Sequence, residues 1–276
     1  MAKPIQWTPE LVERFWSGVS QTKLSHLSFS RSAAPYLIEL LGGHLKSQGR
    51  HLDFGAGDGD LVRALIERGY ATAACEPAGV RSAKIALDIA HHPKFLGLIK
   101  DDSPDRFDVV LMIEVIEHIL EKDLDSALQK VRSLLAAGGT LIVTTPNAED
   151  LDLSSAYCPN CDSLFHRWQH VRSFTPESLA ALLFAYGFEC LFLHQVDFSG
   201  YRFPIEELKS IRMRQAEEAR QLQRRKDRTL VGRIKKVIRV IRGRQPVAEV
   251  EAPTREEGKN FRIGAQSHLL YIGRRI

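Results

Sequence analysis

Three groups of residues in this chain have the types and spacing to do chemistry. The first is Glu114, Glu117 and His118, in the run EVIEH. Two carboxylates and an imidazole within five residues can converge on one side of a loop or a first helical turn. Oxygen ligands with one imidazole suit a divalent ion such as Mg²⁺ or Mn²⁺. Without an ion, Glu114 would serve a cofactor loop and His118 would be a helix-end or general-base histidine. The second group is Cys158-Pro-Asn-Cys161 with His166 and His170 behind it. That spacing is close to a zinc knuckle ending in histidine. A plainer reading competes with it: two reduced cysteines in a tight turn, with both histidines facing a substrate. His170 cannot serve both metals. The third group is HLDFGAGDGDL, from His51 to Leu61, where Gly55, Gly57 and Gly59 follow a short apolar run. Such a turn lets the backbone approach a ligand, because no Cβ stands in the way. Asp53, at the end of the run, can accept hydrogen bonds from a cationic or amine-bearing ligand. Glu76, ending a second apolar run in ATAACEP, has the spacing of an acid that holds both hydroxyls of a ribose. A nucleoside-type cofactor is therefore expected.

The elements that must position these groups alternate. Strands are expected near 50–54, 71–76, 94–99, 107–113, 139–145 and 188–196, with helices near 59–69, 78–90, 123–136 and 176–186. This rhythm argues for a mainly parallel sheet covered on both faces. Ligands collect outside the carboxyl ends of such strands, where Gly55, Glu76, Asp101 or Asp102, and Glu114 all fall. Ahead of the sheet, Thr8-Pro9-Glu10 reads as a helix start, with Thr8 as N-cap. A second helical pattern runs from Ser32 to Leu45. This preface either lies over the site as a lid or packs on the sheet, and Trp16, Phe29 and Tyr36 suit either role. Cys75 and Cys190 fall in strand patterns and read as core. Arg167 and Trp168, on the loop after the fifth strand, are candidates for substrate contacts.

Composition sets the bounds. With 276 residues and 44% hydrophobic content, one α/β domain with additions can bury a full core. No apolar run is long enough to span a membrane. The N-terminal MAKPIQWTPE lacks an apolar signal region, so a cytoplasmic location is expected. Four cysteines, two in a C-x-x-C pair, do not suggest a disulfide framework. The net charge of +4 hides an asymmetry: residues 201–244 carry about ten more basic than acidic groups, while residues 1–200 carry an acidic excess of about seven. Within the basic part, residues 230–242 form a basic amphipathic helical pattern. It could pack on the catalytic domain, attach peripherally to an anionic membrane and so favour a lipid-borne acceptor, or bind nucleic acid. The last is less favoured, because no aromatic residue interleaves its charges. Pro246 to Gly258 reads as an acidic linker, and Ser267 to Ile272 as a closing strand.

Together the motifs resemble class I S-adenosylmethionine-dependent methyltransferases. LDFGAGDGDL is similar to their first motif, Glu76 to their ribose acid, FDVVLMIEVIEHI to the fourth strand and its loop, and GGTLIVTTPN to the fifth strand. FTPESLAALLFAYGFE is similar to the entry into their sixth strand. The resemblance covers roughly residues 48–196 plus the closing strand. It implies an α/β Rossmann-like sheet, mainly parallel with an antiparallel last strand. The expected division is a helical N-terminal lid (1–47), a core (48–200 and 266–276), and a basic helical insertion with linker (201–265). A nicotinamide enzyme would share the glycines but would not explain EVIEH or TTPN.

By the same resemblance, Asp53, Gly55, Ala56 and Gly57 border the methionine part of S-adenosylmethionine and Glu76 holds its ribose. Asp101 or Asp102 meets the adenine edge, and Ile113 and Glu114 line the cofactor beside the methyl. EVIEH also resembles the metal-binding segment of small-RNA 3′-terminal 2′-O-methyltransferases and of ubiquinone-biosynthesis O-methyltransferases. His170 stands where the former add a further histidine, which completes a candidate set of Glu114, Glu117, His118 and His170. A zinc site would instead take Cys158, Cys161 and His166. The expected reaction is O-methylation of a small-molecule, lipid-linked or glycan acceptor, with His118 or His170 as base or a divalent ion in its place. An RNA-end 2′-O-methyltransferase and a non-catalytic cofactor-binding subunit are the alternatives.

Overall fold

The computed structural model describes residues 2–100, 103–198, 262–263 and 267–276. Asp101, Asp102 and nearly all of the 201–265 insertion, including 230–242, lie outside the described residues. The chain begins with β1 (Lys3–Pro4), α1 (Pro9–Ser20) and α2 (Phe29–Leu41), with one 3₁₀ turn between the helices and another after α2. The alternating part follows: β2 (Arg50–Phe54), α3 (Asp60–Glu67), β3 (Ala71–Cys75), α4 (Gly79–Ile89), β4 (Phe95–Leu98), β5 (Phe107–Ile113), α5 (Glu121–Leu134) and β6 (Leu135–Pro146). After a hairpin of β7 (Ser155–Cys158) and β8 (Ser163–His166) come α6 (Pro176–Ala185), β9 (Phe188–Asp197), β10 (Arg262–Ile263) and β11 (His268–Arg275).

The main sheet has eight strands in the order β10-β9-β11-β6-β5-β2-β3-β4. From β6 to β4 every pair is parallel, and β11 runs antiparallel between β6 and β9. This is the expected architecture. Its cause is visible in the strand residues. Val109, Leu111 and Ile113 of β5 enter one apolar cluster, with Leu37 and Leu41 of α2 and Leu61 and Leu65 of α3. The alternate residues Val110 and Met112 enter another, with Leu128 and Val131 of α5 and Leu183 of α6. A strand covered on both faces needs an unbroken apolar run, and VVLMI, from Val109 to Ile113, supplies one.

The start of β2 → α3 → β3 moves the chain to one side of β2, and β5 returns it to the other. The sheet order therefore reverses at β2, and the crevice for a ligand opens at the carboxyl ends of β2 and β5. The N-terminal helices divide their roles. Thr8 caps α1 by accepting the Leu11 N–H, with Pro9 in the first turn, yet α1 buries no residue fully. α2 buries six, including Leu37, Leu40 and Leu41, against the sheet. One feature was not expected: β1, β8 and β7 form a second, three-stranded sheet that ties the N-terminus to the excursion after β6. Cys75 is buried as expected, but Cys190 is exposed, facing outward from a strand close to the sheet edge. Among the described residues no helix is long and apolar enough to cross a membrane.

Candidate active site

A cleft of ≈ 2270 Å³ opens at the strand ends. Its floor is the glycine turn. Gly55 and Gly57 have φ of +81° and +58°, a backbone region that costs an L-residue with a Cβ about 1–2 kcal/mol. A Cβ on Gly55 would also lie 2.6 Å from Val115 Cγ2. The turn is closed by Glu76 at the end of β3, whose Oε2 accepts the Gly57 N–H at 2.7 Å and whose Oε1 accepts the Ala78 N–H at 3.0 Å. Burial raises the Glu76 carboxyl above its usual range, partly offset by Arg81 and by those two N–H groups. Gly55, Ala56, Gly57, Glu76, Ile113 and Glu114 all line the cleft. Asp53 does not: it is 3% exposed beneath the turn. Burial, reinforced by the Glu76 charge and opposed by Arg81, pushes its carboxyl up to about 7.

The helix α1 crosses this floor. Ser20 donates to Asp58 Oδ1 at 2.7 Å, and Asp58 also holds Arg81 (3.3 Å) and Lys84 (2.7 Å). The Arg81 guanidinium lies 4.9 Å from the Trp16 ring centre. Trp16, Ser20 and Phe29 line the cleft, as do Arg167 and Trp168.

The opposite wall carries the histidines. Glu117 is 1% exposed; its Oε2 accepts the Thr145 hydroxyl at 3.0 Å. Its Oε1 is buried without a hydrogen-bond partner, 3.7 Å from His118 Nε2. Burial and the neighbouring Glu114 charge raise the Glu117 carboxyl well above its ordinary value. Burial, with His170 nearby, lowers His118 to about 3, so its ring is neutral. His118 Nδ1 lies 3.5 Å from the Gln169 carbonyl, an acceptor. The ring proton therefore belongs on Nδ1, and Nε2 turns a lone pair toward Glu117. Glu117, His118 and His170 lie close enough to share a cation. Glu114 is not in that set. It adopts φ 53° and places Oε2 3.5 Å from His268 Nε2 of β11, so the expected four-residue metal set loses one member.

The expected zinc set is also separated. The hairpin register pairs Cys158 with Ser163 but His166 with Ser155, at opposite ends of β7 and β8. Cys161 is exposed at the tip, its thiol 3.2 Å from Ser163 Oγ. Spacing in sequence resembled a knuckle, but β-pairing carries the histidine three residues along the strand from the cysteine pair.

Sequence reasoning missed three residues here. Glu149, on the loop after β6, bonds His166 Nε2 at 3.1 Å and also His170 Nδ1. Gln169 is fully buried at φ 63°. It donates from Nε2 to the His118 carbonyl at 2.9 Å and accepts Trp16 Nε1–H at 2.9 Å, so it joins the two walls. His268 arrives from the last strand. Glu149 follows Ala148, itself at φ 48°. Three non-glycine residues around the cleft, Glu114, Ala148 and Gln169, thus hold strained backbone, which is typical of functional sites. That strain is conformational and leaves no signature in residue type.

Residues 26–193 match the family profile described as "Methyltransferase domain". The chain belongs to that family. Among curated relatives, a ubiquinone biosynthesis O-methyltransferase of Caulobacter sp. (strain K31) is 33% identical over 130 residues, covering 44% of this chain and 51% of that protein. A methyltransferase of Geobacillus kaustophilus is 25% identical over 152 residues, covering 52% and 71%. The chain spans about half the length of the first of these relatives. Among solved structures, the Burkholderia thailandensis 1,6-didemethyltoxoflavin-N1-methyltransferase, bound to its substrate and S-adenosylhomocysteine, superposes with a TM-score of 0.58 at 15% identity. The match covers 99% of this chain and 92% of that one. The [4+2]-cyclase SpnF superposes at 0.56 with 17% identity, covering 99% and 98%. These likenesses establish the Rossmann-like fold of class I methyltransferases; a cyclase on the same fold shows that the reaction must be argued from the site.

Proposed function

We propose that this methyltransferase-family protein moves the methyl group of S-adenosylmethionine to a hydroxyl oxygen of a small or lipid-linked acceptor. The observation that carries this reading is one cleft with two unlike walls. A glycine turn closed by Glu76 lies at the sheet's reversal point, and His118 and His170 line the same cleft with the buried Glu117 beside them. S-adenosylmethionine brings an already activated methyl, so the protein must align the acceptor oxygen and dispose of its proton. The names of the ubiquinone O-methyltransferase relatives support oxygen as the acceptor atom.

His170 suits the proton-acceptor role better than His118, whose ring burial holds neutral down to about pH 3. Bound S-adenosylmethionine would supply the methyl and leave as S-adenosylhomocysteine, and His170 Nε2 would take up the proton that the acceptor hydroxyl loses. Glu117, His118 and His170 also fit a divalent ion such as Mg²⁺ or Mn²⁺: Glu117 Oε1 is a buried acceptor with no hydrogen-bond donor, and His118 presents a lone pair. Such an ion would lower the pKa of an acceptor hydroxyl. Stripping divalent ions with a chelator and restoring Mn²⁺ separates the two routes, since only an ion-assisted reaction follows the metal.

The charge pattern of residues 230–242 supports an acceptor held at an anionic membrane surface, and flotation with anionic vesicles tests that part. For the whole reading, pure protein is titrated calorimetrically with S-adenosylmethionine and S-adenosylhomocysteine. Methyl-labelled cofactor is then offered with lipid, glycan, RNA and small-molecule fractions. We expect uptake of both nucleosides and label in a hydroxylated lipid or small molecule. No uptake overturns the reading; uptake without acceptor-dependent methyl loss makes the chain a cofactor-binding subunit, and label in RNA ends moves the acceptor class.

A further inference from the structure

Glu149, His166 and His170 also lie close enough to share an ion, but their hydrogen bonds argue for a different role. His166 is buried, and its Nδ1 faces two backbone donors, the N–H of Trp168 at 3.2 Å and of His170 at 3.1 Å. An Nδ1 that accepts two N–H groups cannot itself carry a proton in a neutral ring. The proton therefore sits on Nε2 and is donated to Glu149 Oε1 at 3.1 Å. A metal at that Nε2 would displace the proton onto Nδ1, against both backbone donors. His166 is locked as a donor.

The other oxygen of Glu149 faces His170 Nδ1. An ionised carboxylate only accepts, so His170 must place its proton on Nδ1. Burial works against ionisation of Glu149, but the hydrogen bonds from both rings outweigh it and hold the carboxyl well below its usual range. The two imidazoles stack with centres 4.2 Å apart and planes 19° apart, and His118 closes the far side of His170 at 4.7 Å. The His170 ring has little room to turn. In water a neutral histidine ring favours its proton on Nε2, and a fixed acceptor at Nδ1 reverses that preference.

We infer that Glu149 is a positioning residue: it fixes His170 with the proton on Nδ1 and the lone pair on Nε2, and His166 fixes Glu149. The usefulness of this arrangement rests on the reading of His170 as proton acceptor or ion ligand, since either role needs Nε2 free.

The test reads the ring directly. Long-range proton–nitrogen spectra of the chelator-treated, nitrogen-labelled full chain identify which imidazole nitrogen carries the proton, with His170→Asn giving the assignment. In the wild type and in Glu149→Asp, we expect His170 protonated on Nδ1. In Glu149→Gln the amide oxygen must serve the locked His166, which turns the amide N–H toward His170 and moves that ring's proton to Nε2. A wild-type His170 protonated on Nε2, or a Glu149→Gln spectrum unchanged from wild type, overturns the inference. If Glu149→Gln does not fold, the wild-type and Glu149→Asp spectra still decide it. Cofactor uptake is measured on the same wild-type sample: its failure would strike the proposed function, and leave the tautomer assignment standing.

Discussion

The two walls of the cleft are built by different means. The glycine turn and Glu76 are held by backbone: parallel strands end side by side, and two main-chain N–H groups grip the carboxylate. The histidine wall is held by side chains that lock one another across loops far apart in sequence, from Trp16 through Gln169 to His118, and from His166 through Glu149 to His170. A wall made of backbone tolerates changes to side chains that do not touch the ligand. A wall made of interlocked side chains transmits each change to its neighbours. Binding and chemistry should therefore separate cleanly under mutation.

The largest effect expected is on chemistry. His170→Ala should lower kcat by about 10²–10⁴-fold, with S-adenosylmethionine affinity by calorimetry unchanged; a matching loss of cofactor affinity would merge the two walls. Next comes the carboxyl beneath the glycine turn. Asp53 has a folded pKa of about 7 against an ordinary value of 3.8, so between those values the folded state holds a proton that the unfolded chain has released. Wild-type stability then falls with rising pH relative to Asp53→Asn, and the gap grows from pH ~4 to pH ~7 toward roughly 4 kcal/mol at most. Thermal melts of both proteins across that window check it, and a constant gap would mean the carboxyl titrates normally. Glu76→Ala should weaken cofactor binding by about 10–100-fold, as expected for lost hydrogen bonds to a charged group, and leave the histidine tautomers unaltered. The smallest change, Trp16→Phe, removes the bond from Nε1 to Gln169 Oε1. A stability loss of about 1 kcal/mol is expected, with a few-fold fall in kcat and no change in cofactor affinity.

The same contrast explains what the sequence made legible. The floor of the cleft is written locally: an apolar run, alternate glycines and an acid at the end of the next strand are adjacent in the chain, and the sheet merely aligns them. The strand order follows from β5 and β6 being apolar on both faces. The histidine wall is written only in part. Glu117, His118 and His170 stood out by type, but Glu149 sits in PNAEDLDL, where nothing distinguishes it from a solvated loop acid. Gln169 and His268 acquire their roles only when α1 and β11 arrive. The side chain of Glu114 turns to His268 because its backbone is left-handed, and the hairpin register separates Cys158 and Cys161 from His166. Spacing in the chain is a good guide within one turn and a poor one across a β-pair. The β1-β8-β7 sheet was missed for a related reason: strands of two to four residues are too short to show a period.

At the antiparallel end of the sheet, β9 departs and β11 returns along the same line. Their junction is pinned beside the cleft, where the Ser267 hydroxyl donates to the Val196 carbonyl at 2.8 Å and the Ser267 carbonyl receives the Asn147 N–H at 3.2 Å. The ends of whatever connects these strands meet at fixed points, and the entropy of closing a flexible connection grows only with the logarithm of its length. Changing the number of residues between Val196 and Ser267 should therefore alter the stability of the sheet only slightly, because the two anchoring points stay where they are.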